Sequence, residues 1–130
     1  MEFLTAKEMF DIGVYDYFGN VDKNNLENII KILHEDVLIK IQTHNSIHKG
    51  RDKEVSNMLS NYFDSYEYMW HGNFRPIIDK EKQTLALQFD WILKNLDKEE
   101  KGQNLNIFKF SNKKIVEIII FMSSYSNPLK

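Results

Sequence analysis

The chain has 130 residues, carries a formal net charge of −2 and contains no cysteine. That length is the usual size of one domain with one core, so residues 1–130 are expected to form a single domain. The missing cysteines exclude disulfides, thiolate catalysis and cysteine–zinc sites. With a pI near 6.1 and no basic stripe to neutralise phosphates, no nucleic-acid partner is expected.

Thr5, three residues ahead of Glu8, is a capping-box signature. Phe10, Val14, Tyr17 and Phe18 recur behind it at helical spacing, which predicts a first helix over Ala6 to Phe18, ended by Gly19-Asn20. Leu26, Ile29, Ile30 and Leu33 form one face of a second helix over Lys23 to Leu33. His34, just behind it, is expected to cap its last carbonyls. Val37 to Thr43 is rich in β-branched residues and reads as a strand, followed by a loop over Asn45 to Gly50. Val55, Met58, Leu59, Tyr62 and Phe63 give the cleanest helical period in the chain and predict a third helix over Asp52 to Asp64.

The remainder reads as β structure. Tyr66 to Ile78 is a long strand, with a bulge expected at Gly72 and an edge position expected from Pro76. Asp79 to Lys82 is a polar turn, Thr84 to Leu93 the next strand, and Asn95 to Gly102 a charged connection. Gln103 to Phe110 and Lys114 to Ser123 form a last hairpin around Ser111-Asn112-Lys113. Helices first and a meander after them predict an α+β fold, three helices on one face of a curved antiparallel sheet. Met1-Glu2-Phe3 has no basic region followed by an apolar run, and Ile118 to Met122 is far too short to span a membrane. A cysteine-free chain of this kind fits a reducing cytosol, so a cytoplasmic location and no membrane partner are expected.

Strand parity sorts the side chains into two faces. One carries Leu85, Leu87, Phe89 and Trp91, then Asn106, Phe108 and Phe110, then Val116, Ile118, Ile120 and Met122. It is almost wholly apolar and must lie under the helices. The other face is mixed, with Asp90, Ile115 and Glu117, and is unusually apolar around Ile119 and Phe121. Such a patch predicts a homodimer through the outer sheet face. The competing expectation is that the tail, Ser124 to Lys130, covers it.

The order helix, helix, strand, helix, then a four-strand meander resembles the nuclear transport factor 2-like superfamily, which includes SnoaL-like polyketide cyclases and ketosteroid isomerases. The resemblance is carried by Asn25-Leu26-Glu27 running to Leu33-His34-Glu35-Asp36-Val37, by Lys49-Gly50-Arg51-Asp52 before the third helix, and by Asn104 to Phe110 leading into Lys114-Ile115-Val116. It extends from about Lys7 to Ser124. It implies a cone of helices and curved sheet with a ligand pocket at the open end, although one fold hosts enzymes, binders and scaffolds alike.

By that resemblance Tyr17 matches the hydrogen-bond-donating tyrosine of ketosteroid isomerases, and Asn106 the protonated aspartate beside it. The pair would polarise a carbonyl or hold a phenol. The family's general base matches Ile41, which cannot take a proton, so ketosteroid-type isomerisation is not expected. The blander alternative is that Tyr17 and Asn106 satisfy each other or a buried water. His71 is the third catalytic candidate. Its possible partner is Asp90, but parity puts Asp90 on the outer face, and a half-exposed histidine at a dimer interface is the expected outcome. The expected ligand pocket is lined by Tyr17, Phe18, Phe89 and Trp91, and by Asn106, Phe108, Ile120 and Met122. His44 and His48 are read as surface histidines, and no metal or cofactor is expected.

Two functions follow. One is an apolar pocket that binds a small hydrophobic molecule without catalysis. The other is an acid–base enzyme of cyclase, dehydratase or isomerase type, using Tyr17 and Asn106. A polar, water-filled cavity touching Tyr17, Asn106 and a histidine would favour the enzyme, and a filled, dry core would favour the binding module.

Overall fold

The computed structural model describes residues 1–130. Thr5 caps the first helix as the sequence predicts: its hydroxyl accepts from Glu8 N–H at 3.1 Å, and the Glu8 carboxylate accepts from Thr5 N–H at 2.9 Å. That helix does not stop at Gly19-Asn20. Helix α1 (Ala6–Asp11) runs into a stretch of wider turns, Ile12–Phe18, and on into α2 (Gly19–Asp22). Gly19 keeps right-handed helical angles, and its N–H donates to the carbonyl of Val14, five residues back. The rod ends only where Asn24 turns left-handed at φ 55°.

The next helix is shorter than its apolar pattern suggests. Helix α3 spans Leu26–Ile30, capped by Asn25, and Leu33 already opens strand β1 (Leu33–Ile41). His34 therefore caps no helix: its Nδ1 accepts from Asp36 N–H within the strand. The expected loop after β1 holds a short strand, β2 (Ser46–Lys49), paired antiparallel with β1. A turn of wide pitch over Gly50–Val55, broken at Lys53, leads into α4 (Ser56–Ser65), which buries Met58, Leu59, Tyr62 and Phe63.

Four long strands follow: β3 (Tyr68–Asp79), β4 (Thr84–Asn95), β5 (Lys98–Ser111) and β6 (Lys114–Met122). The charged stretch Asn95 to Gly102 is mostly strand, because β4 and β5 stay paired out to Asn95 and Lys98. The sheet order is β2-β1-β6-β5-β4-β3. The sheet is mixed rather than wholly antiparallel, since β1 runs parallel to β6. Strand β3 is an edge, as Pro76 implies, and its register slips between Gly72 and Arg75.

The inner face is the one that parity identifies. Leu85, Leu87, Phe89, Phe108, Ile118 and Ile120 are all buried beneath the helices. One position departs from the alternation: a register shift after Lys109 pairs Phe110 with Ile115. Ile115, expected on the outer face, is buried instead, and Val116 is only half-buried. A bulge moves one side chain across the sheet, which an unbroken period of two cannot anticipate.

On the outer face Glu117 bridges Lys40 at 2.6 Å and Lys109 at 3.3 Å, and Phe121 stays 41% exposed. The tail does not cover Phe121. It turns to the opposite side, where Leu129 packs against the core cluster.

Candidate functional site

The inner face is not sealed at every point. A narrow cavity of about 30 Å³ lies where the end of the first helical rod, α4, the later half of β4, the middle of β5 and the end of β6 converge. Of its 16 lining residues, 11 are hydrophobic. Tyr17 and Phe18 reach it from the helical rod, Tyr62 from α4, His71 from β3, and Asn106 from β5. Phe89, Trp91, Ile120 and Met122 line it too, which makes seven of the eight positions expected from sequence. Phe108 does not line it. That ring lies beneath, against Tyr17 at 5.4 Å between centroids.

His71 is the main correction. It is 8% exposed, not half-exposed, and its partner is Asp22 rather than Asp90. The reason lies in the edge position of β3. An edge strand leaves main-chain N–H groups without a neighbouring strand. The His71 N–H donates to Asp22 Oδ2 at 3.1 Å, while His71 Nδ1 meets Asp22 Oδ1 at 2.6 Å. One carboxylate thus holds both the backbone and the ring of the same residue. The short Nδ1 contact requires a proton between nitrogen and carboxylate, so the proton sits on Nδ1. In the neutral ring Nε2 is then the acceptor, and the one donor facing it is a phenol.

Nε2 lies 3.3 Å from the Tyr62 hydroxyl. Phe18 stacks on the imidazole at 5.0 Å and 28°. The ring is therefore clamped between Phe18, Tyr62 and Asp22, with its basic nitrogen on the cavity side. Asp90 is engaged elsewhere: it accepts from Asn73 at 2.9 Å, Arg75 at 3.0 Å and Gln103 at 3.2 Å. Those bonds, that of Asn73 first, hold its carboxyl below the ordinary carboxylate range.

Burial raises the pH at which both phenols ionise. Tyr17 is pushed up by desolvation alone. Tyr62 is pushed up by burial first, then by the neighbouring Tyr17, Tyr66 and Asp22. Both stay neutral donors across the physiological range. Asn106 is 3% exposed, and its Oδ1 has no hydrogen-bond partner. Tyr17 and Asn106 therefore do not satisfy each other. An amide buried in this way costs about 1–3 kcal/mol, and no neighbour in the fold offsets it.

Ile41, where the resemblance would put a base, is fully buried and alkyl. Proton-accepting capacity comes instead from β3. His44 and His48 are half-buried rather than surface residues. His48 Nε2 meets the Leu129 carbonyl at 2.8 Å.

The sequence offered His71 only Asp90 as a partner, and parity set that carboxylate on the outer face. The missing signal was Asp22, beyond the expected helix end. It lies four and five residues past Phe18 and Tyr17, on the same helical face as Phe18.

In sequence, no protein-family model matches the chain, and no curated protein matches it. In three dimensions the match is extensive. A proposed polyketide cyclase from Xanthomonas campestris pv. campestris superposes with a TM-score of 0.77 at 12% identity, over 88% of this chain and 90% of that one. The chain has the nuclear transport factor 2-like fold. A proposed ketosteroid isomerase from Kribbella flavida shares this fold with a TM-score of 0.73 at 14% identity, over 94% of this chain and 82% of its own. TerC, co-crystallised with polyporic acid, gives 0.75 at 9% identity, over 89% and 92%. Identities this low establish a common nuclear transport factor 2-like architecture and nothing about shared chemistry. No helix of the chain is long and apolar enough to cross a membrane.

Proposed function

We propose that the chain is an acid–base enzyme that moves a proton next to a carbonyl group of a small, largely hydrophobic molecule. The single observation that carries this reading is the Asp22–His71 pair, aimed from a buried position into an apolar cavity. Asp22 holds the Nδ1 proton and balances the charge of the imidazolium that forms. His71 Nε2 takes the proton from the carbon beside the carbonyl. The electron pair of that C–H bond moves toward the carbonyl oxygen, where a neutral phenol, Tyr17, and the Asn106 amide donate hydrogen bonds. Returning the proton to a different carbon completes an isomerisation. Returning it to a departing hydroxyl completes a dehydration. In either case no electrons are gained or lost, so no redox cofactor is required.

A binder without catalysis uses the same cavity, and one experiment separates the two. Cyclic ketones are incubated with the protein in heavy water, and deuterium entering beside the carbonyl is followed by NMR. Exchange above the buffer rate that is lost in His71→Ala supports the enzyme. Saturable binding with exchange no faster than buffer would leave a ligand-binding module.

We further propose that two copies pair through the outer sheet face around Ile119 and Phe121, a reading supported by the exposure of Phe121. Sedimentation at micromolar concentration tests it, and a monomer there removes it. The cysteine-free composition supports a cytoplasmic setting.

A further inference from the structure

The cavity is too small for the molecules its chemistry suits. About 30 Å³ admits one or two waters, not a ring. What narrows it is the tail. Ser124, Pro128 and Leu129 belong to its wall, although no regular secondary structure holds the segment after Met122. Leu129 lies half-buried against the core cluster. Its carbonyl meets His48 Nε2 at 2.8 Å, and its N–H donates to Asn127 Oδ1 at 3.0 Å. Ser124 Oγ donates to Ser126 O at 2.8 Å. Apart from the Leu129–His48 contact, the side-chain hydrogen bonds after Ser123 are made within the tail itself.

This is the balance expected of a removable part. One apolar side chain seats it, one bond from outside latches it, and no β-ladder opposes its departure. The rest of the wall comes from helices and paired strands, which do not move cheaply.

We infer that residues 124–130 are a displaceable plug, seated by Leu129 and latched by His48, and that the ligand's apolar end takes the place of Leu129. The ligand class is therefore amphipathic: a carbonyl-bearing ring that meets His71, Tyr17 and Asn106, extended by an alkyl or aryl substituent that fills the vacated seat. This rests on the proposed ligand site for the position of the polar end, but not on catalysis.

The natural absence of cysteine gives a clean test. In the full chain, Pro128→Cys places a single thiol in the cavity wall beside an intact Leu129 seat, and Tyr125→Cys places one at a fully exposed tail position. An aromatic disulfide reagent is expected to label the Pro128→Cys protein at least about tenfold more slowly than the Tyr125→Cys protein, because burial of the Leu129 side chain favours the seated state by that order. Adding His48→Ala to Pro128→Cys is expected to speed labelling about fivefold, the weight of one neutral hydrogen bond. A long-chain alkyl cyclohexanone is expected to speed it further, and bare cyclohexanone is not.

Equal labelling of the wall thiol and the exposed tail thiol would overturn the plug. An unchanged rate on adding His48→Ala would overturn the latch, and acceleration by neither ketone would overturn the replacement of Leu129. These readouts do not involve proton exchange, so a protein that fails the deuterium experiment but shows the labelling pattern keeps the plug and loses the enzyme.

Discussion

Gln83 and Asn106 are both side-chain amides buried in the same core, and the fold treats them in opposite ways. Gln83, in the β3–β4 turn at the end of β4 away from the cavity, the closed end, is 6% exposed and fully engaged. Its Oε1 accepts from Leu4 N–H at 2.7 Å, its Nε2 donates to Leu4 O at 3.0 Å and to Lys80 O at 2.8 Å, and its own carbonyl accepts from Phe110 N–H. Asn106, at the cavity, is 3% exposed and its Oδ1 has nothing. Buried amides are nearly always satisfied because leaving one unpaired is costly. The closed end obeys that rule, anchors the extended N-terminal entry of the chain and is built for stability. The cavity end breaks it: the Asn106 oxygen is left to accept from a donor on a ligand, and the Nδ2 of the same amide is the group that would donate to a carbonyl.

The difference between the two ends can be broken experimentally. The largest effect belongs to the cavity end: His71→Ala is expected to reduce proton exchange roughly 100- to 10,000-fold, the usual worth of a general base, as measured by deuterium incorporation. At the closed end, Gly13→Ala puts a Cβ 2.6 Å from Leu85 Cδ2, and the forced repacking should cost about 1–3 kcal/mol in urea unfolding. Gln83→Leu should cost a similar 1–3 kcal/mol, roughly, because Leu4 loses both of its main-chain partners. Asn106→Leu is the matched counterpart: with no bond to lose, stability should change by less than about 1 kcal/mol or rise, while ligand binding weakens. An Asn106→Leu variant as damaged as Gln83→Leu would erase the distinction.

A smaller effect concerns pH. Tyr17 and Tyr62 are both held above the ordinary phenol value of 10.0. Above that pH the unfolded chain releases phenol protons that the folded chain keeps, so the folded state binds more protons and stability falls as pH rises. Their contribution is whole below pH 10.0 and is lost progressively above it. Tyr62→Phe should flatten the decline in unfolding midpoint measured across that range.

Much of this was legible in the sequence, and the failures have local causes. Strict alternation from Leu85 to Trp91 identified the buried sheet face, since one residue of slip would turn a whole apolar set to solvent. Tyr17 and Asn106 were found through the resemblance and do line the cavity. Asp22 was missed because Gly19-Asn20 looks like a helix stop, whereas the preceding wide turns carry the helix through it. With the helix ended early, the carboxylate that defines His71 fell in what reads as a loop. Ile115 was misplaced by a bulge, and β2 was hidden because it is four residues long and its one aliphatic side chain, Ile47, faces solvent. The role of Leu129 was invisible, since an irregular tail carries no pattern to say where it returns.

The Asp22–His71 pair can be tested before any substrate is known. Nitrogen-15 NMR of the imidazole rings, in a chain with only four histidines, reports which ring nitrogen of His71 carries the proton. The expected result, in the neutral imidazole, is a proton on Nδ1 and none on Nε2, with that preference weakened in Asp22→Asn. A proton resident on Nε2, or a His71 spectrum indifferent to Asp22→Asn, would contradict the assignment of His71 as the base.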